Sequence, residues 1–364
     1  MKYLTFILGA GASVPYGLPT GDELVRRVAT HMIASSYPDE KPLGQKLELY
    51  DPISIDSYLM KYYSQKGREN DLASYKAHIA YEIIRSLQNS WLGASNSIES
   101  SLVDKPLLRF SSRNPENWLR FIIPELLDLY EKSDNSECPI KFISFNYDLS
   151  IESYLDKIIT KHTATREFKD GFFQWISKAI VHLYGQVGSY HWQEESDKNS
   201  TNIWVHSLSR SWADNQALSK QDLQNHAYQL SKRIRVIGEP TRANDVHLNL
   251  AKKWIEKSQT LVFSGYAFHP DNNGLLDLEN TSRAARQVIL GLYKTNKRTK
   301  NLAKKLFAVG LNSTSNTNMH RKELHSGNEP ENPDPQNPYI YIHEECTTYN
   351  LLKDELNLSE LYSL

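Results

Sequence analysis

The chain has 364 residues, of which 40% are hydrophobic and 23% are charged, and its formal net charge is −1. This length allows two average domains or one large α/β domain with insertions, and the apolar fraction is that of a globular protein with a core. Because there is no global basic excess, neither nucleic acid nor an anionic membrane is expected as the main partner.

The cysteines and the apolar runs exclude further classes of protein. Cys138 and Cys346 are the two cysteines, lie far apart and match no CxxC pattern, so this chain does not supply a four-cysteine zinc site. We interpret both as small buried apolar residues rather than as a disulfide scaffold. No apolar run reaches the length of a membrane span, and no signal segment precedes the first predicted strand. We therefore expect a cytoplasmic protein without a metal.

The first predicted element is a buried strand over residues 2–8, KYLTFIL, which runs into the turn Gly9-Ala10-Gly11-Ala12-Ser13. Thr20 then has the position of a helix N-cap, with Glu23 three residues later, and apolar residues continue at helical spacing. The glycines therefore lie on a connection between a strand and a helix.

The next part of the chain carries apolar residues at three- and four-residue spacing. Examples are the segments DPISIDSYLMKYY, KAHIAYEIIRSLQNSWL and ENWLRFIIPELLDLYEK, and no strand pattern interrupts them. We predict a helical insertion subdomain over residues 36–135, placed between the two parts of a sheet domain, residues 1–35 and 136–364.

Strands and helices alternate in the rest of the chain. This alternation is typical of a parallel sheet with helices on both faces, so the predicted fold class is α/β with a Rossmann-like sheet. Residues 190–230 are predicted to form loop and helix, and residues 312–337, rich in Asn, Ser and Pro, a mobile surface loop. The predicted strands cover 140–145, 179–185, 233–239, 260–268, 287–293 and 338–346, and the predicted helices cover 244–257 and 296–309.

A glycine-rich turn between a strand and a helix is a ready anion-binding site, because its backbone N–H groups can point at a phosphate. The alternative is a tight turn that packs against its own sheet, and the turn alone leaves both interpretations open. It lacks the GxxxxGK[ST] sequence of a P-loop, and Val14 stands where the dinucleotide fingerprint GxGxxG needs its third glycine. A P-loop nucleotidase and a hydride-transfer enzyme are therefore not expected.

Four segments occur in the order typical of the sirtuin superfamily, whose members bind NAD. GAGAS followed by Gly17-Leu18-Pro19 resembles the GAGxS…GxP opening, and Phe145-Asn146-Tyr147-Asp148 resembles the TxNxD segment. His182-Leu183-Tyr184-Gly185 resembles the segment with the HG motif, and GYAFHPDN, from Gly265 to Asn272, resembles the G(F/Y)xF…N segment of a bacterial branch. SIDSYL, from Ser54 to Leu59, is similar to an element in the helical insertion of that branch.

Departures from the deacetylase pattern indicate which branch the chain resembles. Sirtuin deacetylases hold a zinc module with four cysteines, which this chain lacks, and Thr20-Gly21-Asp22 replaces the phenylalanine and arginine that follow GxP in them. The sirtuin-like branch without zinc is associated with NAD hydrolysis in bacterial anti-phage defence. The resemblance therefore implies an NAD hydrolase that acts as a toxic effector by depleting NAD.

The resemblance assigns catalytic roles to residues near the strand ends. Asn146 is expected to place water or a ribose hydroxyl, and Asp148 to cap the following helix or to support Asn146. Tyr184 stands where the catalytic histidine of sirtuins precedes the glycine, so Tyr184 is expected to hydrogen-bond the ribose. The base is then His182, because residues two apart on a strand share a face, or else His269. The alternative is a buried His182 that is satisfied by the backbone.

The remaining predicted contacts are with the substrate, NAD. They are Ala10, Gly11, Ala12 and Ser13 for the pyrophosphate; Gly265 and Tyr266, with Asn272 nearby, for the adenosine ribose; and Thr347 or Thr348 for the adenine. Gly9, Pro19 and His269 are further predicted contacts with NAD.

A second function stays open beside hydrolysis, namely a catalytically inactive sensor or structural subunit that keeps an NAD or ADP-ribose pocket. The tyrosine at position 184 favours this alternative. A toxic NAD hydrolase must be silent until it is triggered, so the family implies control by a partner protein, by self-assembly or by a signal nucleotide. The basic run over residues 294–305 suits a nucleic-acid-binding subunit, but we interpret it as a solvated helix face.

Overall fold

The computed structural model describes most of the chain. The described residues are 2–52, 54–63, 67–90, 92, 116–132, 137–190, 192–193, 220–236, 239, 245–282, 285, 287–292, 297–308, 339–344, 347–355 and 358. Cys346 and the predicted loop over 312–337 lie outside them. In this part of the chain, no helix is both long and apolar enough to cross a membrane.

Six parallel strands form one sheet. They are β1 (Tyr3–Leu8), β2 (Ile140–Ser144), β3 (Ile180–His182), β4 (Ser258–Ser264), β5 (Gln287–Leu292) and β6 (Tyr339–Glu344). Their order across the sheet is β3–β2–β1–β4–β5–β6, which is the order of the doubly wound Rossmann fold. At the centre, Phe6 is in register with Phe142 on one side and with Val262 on the other.

Every residue of β1, β2, β3 and β4 is buried. Since successive side chains of a strand point to opposite faces, this burial requires both faces of the sheet to be covered. The rings of Phe6 and Phe142, 5.5 Å apart, belong to this core. The predicted α/β fold with a Rossmann-like parallel sheet is therefore confirmed.

Helices connect the strands and flank the sheet. They are α1 (Gly21–Ile33), α2 (Glu40–Tyr50), α3 (Ile55–Tyr63), α4 (Glu69–Asn89), α5 (Leu119–Glu131), α6 (Ser150–Lys161), α7 (Arg166–Ser177), α8 (Lys220–Ser231), α9 (Val246–Lys257), α10 (Pro270–Leu276), α11 (Leu278–Thr281), α12 (Lys297–Ala308) and α13 (Thr348–Asn350). Helix α1 begins where the sequence predicts, because Thr20 Oγ1 accepts a hydrogen bond from the Glu23 N–H at 3.4 Å. Its buried face is formed by Leu24, Val25 and Val28, among others.

The predicted helical stretch contains helices α2 to α5 and no strand among its described residues. Helices α2 and α4 pack against α1, and α3 packs against α4. Helix α8, which comes far later in the chain, also packs against α4. The boundaries of a separate insertion subdomain stay a prediction.

The predicted strand over residues 233–239 is wrong for the described part of that segment, 233–236 and 239, which holds no strand. Arg235 donates its backbone N–H to the Tyr184 carbonyl at 2.8 Å, and its guanidinium bonds to the Leu183 carbonyl at 2.9 Å. The same guanidinium pairs with Asp245. Alternation of isoleucine, valine and arginine has the period of a strand, but here the segment crosses the end of β3 instead of extending the sheet.

Candidate functional site

The strand order creates a switch point at the carboxyl ends of β1 and β4. Beyond β1 the chain builds β2 and β3 on one side of the sheet, and then β4, β5 and β6 on the other. Ligands of open α/β sheets bind in the crevice outside the carboxyl ends of the strands at such a point. Gly9 and Gly265 directly follow β1 and β4, and Asn146 and Tyr184 come two residues after β2 and β3. The topology therefore brings the predicted site residues to one edge of the sheet.

The glycines at this edge allow two turns to touch. A Cβ on Gly9 would lie 2.3 Å from the Gly265 carbonyl oxygen, and one on Gly11 would lie 2.8 Å from the Gly265 Cα. Gly265 has a φ of +59°, and its own Cβ would lie 2.1 Å from the Ala12 nitrogen. No side chain fits at these distances, so packing between the turns after β1 and β4 already requires the three glycines.

Replacing Gly265 with alanine is expected to lower the free energy of unfolding by about 2–4 kcal/mol, because the new methyl group overlaps Ala12 and the positive φ is strained. Gly274→Ala is the matched control, since nothing lies within 4 Å of its Cβ and alanine favours a helix. Chemical denaturation of both variants measures the difference. Equal effects of the two substitutions would contradict the close packing of the turns.

The backbone donors of the first turn are mostly engaged within the protein. The turn folds into two 3-10 segments, Ala10–Ala12 and Val14–Tyr16, before α1 begins. The N–H groups of Gly11, Ala12 and Ser13 donate to the carbonyls of Gly265, Gly9 and Ala10 at 3.3, 2.9 and 3.1 Å. No described hydrogen bond uses the Ala10 N–H, and Gly11 is exposed, whereas Pro19 is buried. Ala10 and Gly11 are therefore the part of the turn that a phosphate can reach.

Asn146 links the end of β2 to the first turn. Its side-chain amide donates to the Gly9 carbonyl at 2.9 Å and to Ser13 Oγ at 3.0 Å. The residue is 9% exposed, and no described residue donates a hydrogen bond to its amide oxygen. This oxygen is thus a fixed acceptor beside the glycine turns.

Asp148 contacts Ser13, the residue that accepts a hydrogen bond from the Asn146 amide. Its Oδ1 accepts from the Ser150 backbone N–H at 3.0 Å, in the first turn of α6, and from Ser13 Oγ at 3.1 Å. Burial raises the pKa of the Asp148 carboxyl, and the hydrogen bonds from Ser150 and Ser13 oppose that shift. Both roles expected of Asp148, capping the helix and supporting Asn146 through Ser13, have a matching contact.

His182 is enclosed by hydrogen bonds on both sides of its ring. Nδ1 lies 2.9 Å from the Asn146 carbonyl oxygen, and since a carbonyl only accepts, Nδ1 carries a proton. Nε2 lies 2.8 Å from Glu152 Oε1, and both residues are almost fully buried. Burial lowers the pKa of His182, but Glu152, the Asn146 carbonyl and Asp148 outweigh it and raise that pKa above its usual value. His182 therefore orients the backbone of Asn146, and its role as the base stays a prediction.

Tyr184 forms one wall of the site together with two aromatic rings. Its hydroxyl donates to Asn272 Oδ1 at 2.6 Å, and its ring centroid lies 5.7 Å from that of Phe145. Phe145 in turn packs against Tyr266 at 5.1 Å. The predicted residues Tyr184, Tyr266 and Asn272 thus belong to one cluster that joins the ends of β2, β3 and β4.

Three other residues that are predicted to contact NAD form hydrogen bonds within the protein. His269 caps the short helix α10, because its Nδ1 accepts from the Asp271 N–H at 3.3 Å. Thr348 hydrogen-bonds Ser264 at the end of β4, and Thr347 caps α13 by accepting from the Asn350 N–H at 3.2 Å. Contact of these three residues with a substrate stays a prediction.

Two acidic residues of the site do not follow from the sequence motifs. Glu152 lies on the buried face of α6 with Leu155 and Ile159, and a charge within that apolar stripe is the signal that indicates it. Asp56, in the first turn of α3, hydrogen-bonds the hydroxyl of Tyr147. Its segment SIDSYL is singled out by the resemblance, but nothing in the sequence indicates that its carboxyl reaches the strand ends.

Comparison with models of protein families and with curated protein sequences finds no match for the chain. Within the described residues, no group of three or more His, Cys, Asp or Glu side chains is arranged to hold a metal ion.

Proposed function

We propose that the chain hydrolyses NAD to nicotinamide and ADP-ribose. The observation that carries the proposal is the environment of Asn146, whose amide is held by Gly9 and Ser13 at the switch point of the sheet. This edge is where α/β sheets of this strand order bind dinucleotides. The resemblance of the same segments to the sirtuin superfamily supports NAD as the ligand.

The chemistry suits a site with few polar groups. Nicotinamide leaves as a neutral base, so it needs no general acid, and the site has to hold the ribose, stabilise an oxocarbenium-like transition state and orient water. The Asn146 amide oxygen accepts a hydrogen bond from that water or from a ribose hydroxyl. The Tyr184 oxygen accepts another, since its own proton is given to Asn272.

The biological role that follows is a cytoplasmic effector that depletes NAD in anti-phage defence. Uncontrolled hydrolysis kills the host, so the activity requires a regulatory partner protein, a homo-oligomer or a signal nucleotide. Nucleic acid and membrane are not expected as direct partners, in keeping with the formal net charge of −1.

A sensor that binds NAD or ADP-ribose without turnover is the second candidate. The observation that favours it is the enclosure of His182, whose two ring nitrogens are both bonded within the protein. A sirtuin-like site without an accessible histidine retains the pocket but needs another proton acceptor.

Incubation of the purified chain with NAD is expected to release nicotinamide and ADP-ribose in equal amounts over many turnovers, because both products come from one hydrolysed bond. Chromatography measures both products, with and without host lysate to supply a trigger. Binding of NAD without turnover under both conditions would contradict the hydrolase and support the sensor, and absence of binding would contradict both.

A further inference from the structure

Asp56 brings a carboxyl group from the predicted helical insertion to the strand-end cluster. The Tyr147 hydroxyl hydrogen-bonds Asp56 Oδ1 and also lies 2.9 Å from the Arg235 carbonyl oxygen. Tyr147 directly follows Asn146, and the backbone of Arg235 is bonded to that of Tyr184. Asp56 is therefore linked to Asn146 through its chain neighbour Tyr147, and to Tyr184 through Tyr147 and Arg235.

The proton count of this contact is informative. A phenol has one proton, yet Tyr147 faces two oxygen acceptors. When Asp56 is ionised, the Tyr147 hydroxyl can donate a full hydrogen bond to only one of these two acceptors. When Asp56 is protonated, Asp56 donates to Tyr147 and Tyr147 donates to the Arg235 carbonyl, so both bonds are complete. The pair can thus take up and release a proton without a rearrangement of its heavy atoms.

The other acidic and basic groups near Asn146 are enclosed. His182, Asp148 and Glu152 are 4%, 5% and 0% exposed, and each is bonded within the protein. Asp56 lies deep among its neighbours but keeps partial solvent exposure. Apart from Tyr147 and its own backbone N–H, no described group is bonded to its carboxylate. Among these four residues, Asp56 is the one that is partly exposed.

Two further histidines, the exposed His247 and the half-buried His269, lie near the same edge. His269 Nδ1 accepts from the Asp271 N–H, and His247 lies close to the backbone of His182. Neither shares a described hydrogen bond with Asn146 or Tyr147. Position and connectivity therefore favour Asp56 over both histidines.

We propose that Asp56 is the proton acceptor of the site. In sirtuins a histidine has this role, and Tyr184 stands at its position in this chain. This inference rests on the proposed hydrolysis of NAD. The water oxygen forms a bond to C1′ of the nicotinamide ribose while the C1′–N bond breaks and its electron pair goes to the pyridine nitrogen. The proton of the water passes to the Asp56 carboxylate, and from there to the solvent. The products are nicotinamide, ADP-ribose and one proton.

The electrostatic surroundings set the pH range in which Asp56 can act. Burial raises its pKa to about 6, and the hydrogen bond from Tyr147 opposes that shift. Asp56 is therefore mostly ionised at pH 7 and mostly protonated at pH 5. The titratable groups that act on Tyr147 besides Asp56 are Tyr184 and Glu239, and Glu239 is paired with Lys76. Asp56, Asp271 and Arg235 act in turn on Tyr184.

Replacing Asp56 with asparagine is expected to lower NAD turnover by about 100-fold or more at pH 7, since a positioned proton acceptor contributes about that much. NAD binding is expected to stay within about threefold, because the change is isosteric and the acceptor acts on water. The wild-type rate should rise with pH through about 6, and Asp56→Asn should lose this rise. Asp56→Glu should recover part of the rate.

Asp71→Asn is the matched control, because Asp71 also lies in the first turn of a helix of the same stretch but pairs with Arg68. Its rate and pH profile should equal those of the wild type. Turnover with an unchanged rate and profile in Asp56→Asn would overturn the assignment of Asp56 and leave the proposed hydrolysis intact. A wild type that binds NAD without turnover would instead contradict the hydrolysis itself.

Unfolding measurements test the pair independently of activity. The pKa of Asp56 is raised in the folded state, so the stability it contributes is complete below its usual pKa of 3.8 and is lost as the pH rises through about 6. As the pH rises from 4 to about 6.5, the wild type should therefore lose unfolding free energy relative to Asp56→Asn. A constant difference would show that Asp56 does not hold a proton in this range and would overturn the proposal.

Discussion

Replacing Asn146 with alanine is expected to lower NAD hydrolysis by about 100- to 1,000-fold, which is the usual cost of removing one fixed polar group at a reacting centre. The amide oxygen of Asn146 has no described donor, whereas its nitrogen is tied to Gly9 and Ser13. The substitution therefore removes the acceptor for water or ribose and two internal hydrogen bonds at once. Nicotinamide release by chromatography measures the first effect, and chemical denaturation measures the second.

Asn117→Ala separates the loss of chemistry from the loss of stability. Asn117 is also a buried asparagine with two side-chain hydrogen bonds, donating to Tyr154 and accepting from Tyr16 at 3.0 Å each. Both alanine variants should lose about 1–3 kcal/mol of unfolding free energy, the usual cost of leaving buried partners unpaired. Only Asn146→Ala should lose turnover. If the two variants lose activity in parallel with stability, Asn146 has no special role.

The sheet could be predicted because its signals are local. Each strand is a short apolar run next to a helical pattern, and burial on both faces needs no knowledge of the partner strand. The segment around Arg235 could not be predicted in this way, because its contacts with Leu183, Tyr184 and Asp245 depend on the tertiary fold. Periodicity alone does not distinguish an alternating segment that joins a ladder from one that crosses a strand end.

The residues of the candidate site also divide into those that the sequence predicts and those that only the tertiary fold brings together. Asn146 and the glycine turns are adjacent to strand ends, so topology alone brings them together. The structure shows that the glycines allow the two turns to pack against each other. The sequence GAGAS does not reveal this role, because the role depends on the position of the Gly265 backbone. Glu152 and Asp56 meet His182 and Tyr147 across separations of 30 and 91 residues. Such pairings follow from packing, which a single sequence does not contain.

Replacing Glu152 with alanine is expected to lower the free energy of unfolding by about 3–5 kcal/mol at pH 6, because it leaves the buried His182 ring without its partner. Glu152→Gln should cost less, since the amide NH2 of glutamine can still donate a hydrogen bond to Nε2 of the neutral ring. The exposed pair of Lys132 and Asp128 is the control, and Asp128→Ala should have no measurable effect. Chemical denaturation of the three variants gives the comparison, and a loss in Glu152→Ala no larger than in Asp128→Ala would contradict a stabilising buried pair.

The pH dependence of the same comparison tests the proton held by His182. In the wild type the folded pKa of His182 is raised, so its stabilising contribution is complete below the unfolded pKa of about 6.5 and is lost as the pH rises through the folded value. In Glu152→Gln burial acts without the carboxylate and disfavours the charged ring, so that variant should lose stability as the pH falls below about 6.5. The difference in unfolding free energy between the wild type and Glu152→Gln should therefore increase as the pH falls from 8.5 to 5.5. A difference that stays constant or decreases would contradict a raised pKa of His182 beside Glu152.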